Sequence, residues 1–210
     1  MLESEYLLSE HLSSEYLSCE QLITVFEKVF YAAYKTRLVR GGDEPVYLPA
    51  SVTGTDNQVV FARGFFSSGL HETAHWCVAG AKRRLLEDFG YWYVPDGRNP
   101  VQQRAFEQVE VRPQAYEQCF TLAAGRNFNI SADNLSGETG ATDAFELNVH
   151  RLTLQLLFAD ELTGRAKQFF EALCDTWQNP FHTWQAAAHE KLLLRIQWLE
   201  TNSLEANKTG

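Results

Sequence analysis

Apolar positions at helical spacing and short β-branched runs alternate along this chain. Leu22, Ile23, Val25, Phe26, Val29 and Phe30 recur three and four apart, predicting a helix with one buried face that ends before Arg37. Gly41-Gly42-Asp43-Glu44-Pro45 breaks the chain, and Val46-Tyr47-Leu48 reads as a short strand closed by Pro49. Residues 51–57 form a polar loop. Gln58 to Ala62, β-branched and apolar, is the strongest strand pattern in the sequence. It feeds through Arg63-Gly64-Phe65-Phe66 into a segment free of proline. That segment predicts a helix capped by Ser67, Ser68 and Gly69 and running to Leu86. Leu70, Ala74, Val78 and Leu85 are its candidates for packing against the sheet.

Asn99-Pro100 pairs an N-cap residue with a proline at the first helical position. The next helix runs from Pro100 to about Ala124, with Pro113 ending, kinking or restarting it. Residues 125–140 form a loop rich in Asn, Asp, Ser and Gly. Residues 144–162, 165–177 and 184–200 predict three further helices. Near the start, Ser4-Glu5-Tyr6-Leu7, Ser9-Glu10-His11-Leu12 and Ser14-Glu15-Tyr16-Leu17 repeat every five residues. That period matches neither a helix nor a strand face, so a frayed or partly helical extension is expected, with the fold proper starting near Glu20. The balance is α+β, mostly helical with a small sheet, and no linker is long enough to divide it.

Composition narrows the function. A length of 210 residues with 45% hydrophobic positions supports a substantial core. A net charge of −9 argues against a general binder of nucleic acid or of membrane surfaces, because no basic excess is available to neutralise phosphates. Cys19, Cys77, Cys119 and Cys174 are scattered with no C-x-x-C, which suits reduced thiols. No apolar run reaches transmembrane length, and the acidic start Met1-Leu-Glu-Ser-Glu lacks the positive charge of a signal peptide. Cytoplasm is the expected location.

The chemistry concentrates at His71-Glu72-Thr73-Ala74-His75. Two histidines four apart share one helix face and can grip a single metal ion, and Glu72 lies one residue-step around, within reach of metal-bound water. A working site needs a third protein ligand and open positions. His150, His182 and His189 fall on or beside later helices and read as surface or satisfied core histidines. The carboxylates after Pro100 are better candidates: Glu107, Glu110 and Glu117. A helical wheel with Val101, Ala105, Val109, Tyr116 and Phe120 facing the core puts Glu107 nearly opposite and Glu110 and Glu117 on the border. A border carboxylate can reach a metal at a helix contact, so Glu110 and Glu117 both remain open.

Several segments together resemble the bacterial elongation factor P hydroxylase family. They are Gly42-Asp43-Glu44-Pro45, Phe61-Ala62-Arg63-Gly64-Phe65, His71-Glu72-Thr73-Ala74-His75-Trp76-Cys77, Asp88-Phe89-Gly90-Tyr91-Trp92-Tyr93, Pro95-Asp96-Gly97-Arg98 and Phe106 to Ala115. The resemblance runs from about residue 20 to 177. It divides the chain into a variable extension, 1–19, a metal-dependent hydroxylase domain, 20–180, and a C-terminal helical extension of that domain, 181–210. It implies a core akin to metalloproteases and a small metal ribonuclease, with the H-E-x-x-H helix packed on the sheet. The implied activity is hydroxylation of a lysine of elongation factor P that already carries a β-lysyl group. Fe(II) is the implied metal and molecular oxygen the co-substrate. The implied ligands are His71, His75 and Glu110, with Glu72 orienting a metal-bound water or ligand. Asp43, Glu44 and Asp96, beside Tyr91 and Tyr93, are candidates to hold the substrate's ammonium groups. The competing reading is a zinc hydrolase of peptides or RNA with Glu72 as general base, because the protein ligands of zinc and non-haem iron overlap. A purely structural metal is disfavoured, since such sites recruit cysteine and Cys77 lies off the His71/His75 face.

Overall fold

The computed structural model describes residues 2–88, 99–131 and 142–209. The chain forms two compact units, 1–90 and 91–210. The α+β expectation holds: a small sheet lies in the first unit, and the elements of the second are helices.

In the first unit, helix α1 runs from Leu2 to Tyr34. No glycine or proline interrupts this stretch, so the helix continues through the five-residue repeat, and residues 4–17 are helical rather than frayed. Its stripe is core as expected: Leu22, Phe26 and Phe30 are fully buried and Val25 nearly so. Three strands follow, β1 (Thr36–Arg40), β2 (Val46–Leu48) and β3 (Asn57–Phe61), in the order β1-β3-β2. β1 pairs parallel to β3 with Leu38 opposite Val59, and β2 pairs antiparallel with Tyr47 opposite Val59. The sequence reading assigns no element to 36–40, because Arg37 and Arg40 interrupt the apolar signal. Arg37 is held by Glu27 and Asp56, each at 2.8 Å, and Thr36 and Leu38 turn inward, Leu38 being the one apolar side chain of the two. The expected polar loop contains one short helical turn, α2 (Ala50–Thr53), closed by Gly54 at φ 77°.

Arg63 and Gly64, at φ 52° and 70°, turn the chain from β3 into helix α3 (Phe66–Val78). The helix stops eight residues short of Leu86. Gly80 removes the propensity to continue, and Arg83–Leu85 forms a separate 3-10 turn on which Leu85 is 71% exposed. Leu70 and Ala74 pack inward as expected, Val78 is half-buried and Leu85 does not pack.

The second unit holds helices α4 (Pro100–Ala123), α5 (Asp143–Phe158), α6 (Gly164–Thr176) and α7 (Phe181–Thr209). Asn99 and Gln102 cap α4 reciprocally, with Pro100 at the first position. Pro113 sits inside α4 without ending it. The helix is buried on every side from Pro113 to Thr121, including Gln114, Glu117 and Gln118.

A polar network ties α4, α5 and α7 together. His150 contacts Gln118 Oε1 through Nδ1 at 3.0 Å and Glu146 through Nε2 at 3.2 Å. Arg195 donates to both Glu146 oxygens, at 2.7 and 3.0 Å. His150 is thus the satisfied core histidine that the sequence predicts. Burial holds its imidazole below the usual 6.5 despite Glu146, and the Arg195 guanidinium holds the Glu146 carboxyl below the usual 4.5. For both groups the unfolded chain binds the proton more readily than the native one. Stability is therefore full above about pH 6.5 and falls first as His150 is forced to charge, then further below pH 4.5 as Glu146 protonates. Urea unfolding of His150→Gln should show a smaller loss of stability between pH 7.5 and pH 5 than the wild type does. Parallel pH curves would mean that His150 does not carry this dependence.

Candidate metal centre

The site is built on α3. Phe66, Gly69, Leu70, Thr73, Ala74 and Trp76 are its buried positions, while His71, Glu72 and His75 are half-buried on an adjoining face. No side chain caps the N-terminus. The predicted capping serines lie inside the helix, where Ser68 Oγ accepts from Ala62 N–H at 3.0 Å and fastens the helix to the end of β3. Gly69 lets α3 approach closely: a Cβ there would come within 2.6 Å of Leu22 on α1 and 3.6 Å of Phe61 on β3. Trp76 anchors the other end, its ring 5.3 Å from Phe26, 4.7 Å from Phe30 and 5.3 Å from Tyr34.

With the helix gripped in this way, the two imidazoles converge. His71 Nε2 and His75 Nε2 are 3.0 Å apart, with ring centroids at 4.6 Å. Two imidazole nitrogens this close on one helix face could together hold a single metal ion, with further positions left for other ligands. Glu72 follows His71 directly and is half-buried on the same stretch of helix. Cys19, Cys77, Cys119 and Cys174 form no disulfide. Burial pushes Cys174 up to about 11 and Cys119 higher still, so neither offers a thiolate.

On α4 the sequence wheel is corrected. Val101, assigned to the core face, is 67% exposed, while Glu107, assigned to the far side, is 6% exposed. The wheel oriented the helix by its apolar residues, but the buried stripe near its start is Gln103, Phe106, Glu107 and Glu110. Polar side chains turn inward here because tertiary partners satisfy them. Glu107 accepts from Gln103 Nε2, from the Thr142 backbone N–H and from Thr142 Oγ1 at 2.8 Å. Thr142 is the N-cap of α5, so Glu107 serves as a joint between helices. Gln114 pairs with the Ser131 backbone in both directions, at 2.6 and 3.1 Å. Glu110 and Glu117 are buried at 3% and 7% exposure. Only a signal of buried polar spacing, Gln103-Glu107-Glu110-Gln114-Glu117, would have shown this face in the sequence.

Of the residues suggested for the substrate's ammonium groups, Asp43 is exposed and paired with Arg63 Nε at 3.0 Å, and Glu44 is exposed. Asp96, Tyr91 and Tyr93 lie outside the described residues. His182 and His189 are exposed on α7, and His189 stacks edge-on against Phe158.

Comparison with known proteins agrees with this chemistry. Residues 25–187 match the family described as elongation factor P hydroxylase. Over 154 residues, 73% of this chain and 86% of the relative, the sequence is 56% identical to a Haemophilus influenzae protein named elongation factor P lysine hydroxylase.

The geometry separates the histidine pair from the residues that hold its helix. His71→Ala or His75→Ala should remove metal binding, measured by equilibrium dialysis, while leaving the circular dichroism spectrum and thermal midpoint near wild type. Retention of one equivalent at wild-type affinity in either variant would refute the site. Glu107→Gln should behave in the opposite way: metal affinity is kept, but stability falls by about 1–3 kcal/mol as the charged acceptor of the α5 cap is lost. Chemical denaturation beside the dialysis reads both quantities.

Proposed function

Because the chain belongs to the elongation factor P hydroxylase family, we propose that it hydroxylates a lysine of translation elongation factor P at a metal held by His71, His75 and Glu110. The observation that carries this reading is the convergence of the two Nε2 atoms within a segment that the family match spans. Glu110, buried on α4, would supply the hard carboxylate that, with two histidines, makes a ligand set of the kind non-haem iron uses. We assign Fe(II) to the site, and the metal would supply redox chemistry with molecular oxygen as co-substrate.

The protein's own residues do the rest. His71 and His75 offer neutral imidazole nitrogens from one helix face. Trp76 and Gly69 hold that face still. Glu72, beside His71, accepts a hydrogen bond from a water or substrate group at the site and orients it. The substrate form is the β-lysylated lysine, whose two ammonium groups suit an acidic chain with Asp43 and Glu44 exposed on the β1–β2 turn. Arg63 already neutralises Asp43, so a substrate amine would displace the guanidinium there. No described helix is long and apolar enough to cross a membrane. A translation factor as the substrate supports the cytoplasm as the location of the reaction.

Two experiments test this. Protein loaded anaerobically with Fe(II), then given air, a reductant and β-lysylated elongation factor P, should add one oxygen atom to the modified lysine by mass spectrometry. The zinc-loaded protein should add none; chain cleavage that needs zinc but no oxygen would replace this reading with the hydrolase. Glu110→Gln should lower metal affinity by more than the roughly 10–100-fold typical of losing a ligand's outer partner. It should also leave stability closer to wild type than Glu107→Gln does. Equal metal affinities for the two variants would exclude Glu110 as a ligand.

A further inference from the structure

His75 lies in the last turn of α3, three residues before Val78. Final turns fray, because their last carbonyls lack intrahelical donors. The usual remedy, a left-handed glycine after the helix, is not used: Ala79 is extended, at φ −59° and ψ 122°. Arg84 takes its place. Its Nη1 donates to the Ala79 carbonyl at 2.6 Å, and the Ala79 N–H donates to the His75 carbonyl at 2.9 Å. The same guanidinium lies 5.5 Å from the Tyr34 ring and 5.8 Å from the Trp76 ring. Tyr47 on β2 donates its hydroxyl to the Arg84 carbonyl at 2.9 Å, and Asp88 grips the neighbouring Arg83. One side chain thus meets both the residue after His75 and the residue that closes its turn.

We propose that Arg84 is a positioning residue for His75, clamping the last turn of α3 so that its imidazole stays aimed at His71. This rests on the reading of the two histidines as metal ligands. A cation at a helix C-terminus meets the negative end of the dipole, and its planar face adds attraction to Trp76. Only a guanidinium does both at once, since it donates in its plane and stacks across it, whereas an ammonium is a point charge. The effect is asymmetric. His71 sits a turn earlier, where the helix is closed on both sides, so loosening the end frees one imidazole of the pair. A chelate with one free arm loses affinity even while the fold persists.

The test titrates the full-length apoprotein with Co(II), reading affinity by chelator competition and ligand geometry by the visible spectrum. Arg84→Met keeps the side chain's length and loses the guanidinium. It should weaken Co(II) binding about tenfold, which is about 1.4 kcal/mol, and alter the spectrum. Arg84→Lys should recover part of the loss; it also stands in if the Met variant does not fold, then showing a loss of its own. Leu38→Ala, a core truncation in the same unit, serves as the stability control and should keep affinity within about twofold. Wild-type affinity in the Arg84 variants overturns the proposal, as does an equal loss in Leu38→Ala, which would make Arg84 a general stabiliser. If the wild type itself binds no Co(II), the reading of His71 and His75 as ligands falls and this one with it. If the wild type binds normally and the Arg84 variants do too, this proposal alone fails.

Discussion

The packing of α3 against α1 and β3 is the constraint from which the histidine site follows. Gly69 sets the distance, since any larger side chain would meet Leu22 and Phe61. Trp76 sets the rotation, wedged among Phe26, Phe30 and Tyr34. A helix held at both points has one orientation, and the face that remains carries His71, Glu72 and His75. Burying a tryptophan and its aromatic neighbours contributes several kcal/mol. That is far more than the imidazoles themselves contribute to the core. The two histidines can accordingly be changed with little effect on folding, while the residues between them cannot.

The second unit solves a different problem. Its central helix, α4, carries glutamates and glutamines inward, which is costly unless each finds a partner. Glu107 finds the cap of α5, Gln114 the backbone at Ser131, and Gln118 the imidazole of His150 and the hydroxyl of Thr153. Each bond joins α4 to a different part of the unit, so the polar interior specifies which neighbour lies where. Glu110 belongs to the same inward stripe. A carboxylate kept in such surroundings is the kind of group that a cation would stabilise, and this agrees with the family's hydroxylase chemistry.

Much of the site was legible because its signals are local. H-E-x-x-H states its own geometry once the segment is helical, and Asn99-Pro100 announces the start of α4 within four residues. The apolar stripe of α1, strands β2 and β3 and the last three helices follow from periodicity in the same way. Three features were not legible. β1 hides behind two arginines whose partners, Glu27 and Asp56, are distant in sequence. The burial of Glu107 contradicts a wheel drawn from hydrophobicity, because its partner Thr142 is 35 positions away. The end of α3 and the role of Arg84 depend on a guanidinium that folds back over Trp76.

The sequence by itself therefore determined the kind of chemistry, the helix that bears it, the two histidines and the family to which the chain belongs. These rest on spacing within one element or on residue strings that read the same in any context. Tertiary structure alone decided which face of α4 is inside, what closes the last turn of α3 and which polar groups are satisfied. The physical reason is that spacing fixes which side chains share a face, whereas the free energy of burying a face depends on what packs against it. A glutamate on a helix is a solvated charge until a threonine, an arginine or a metal meets it, and that meeting belongs to the fold.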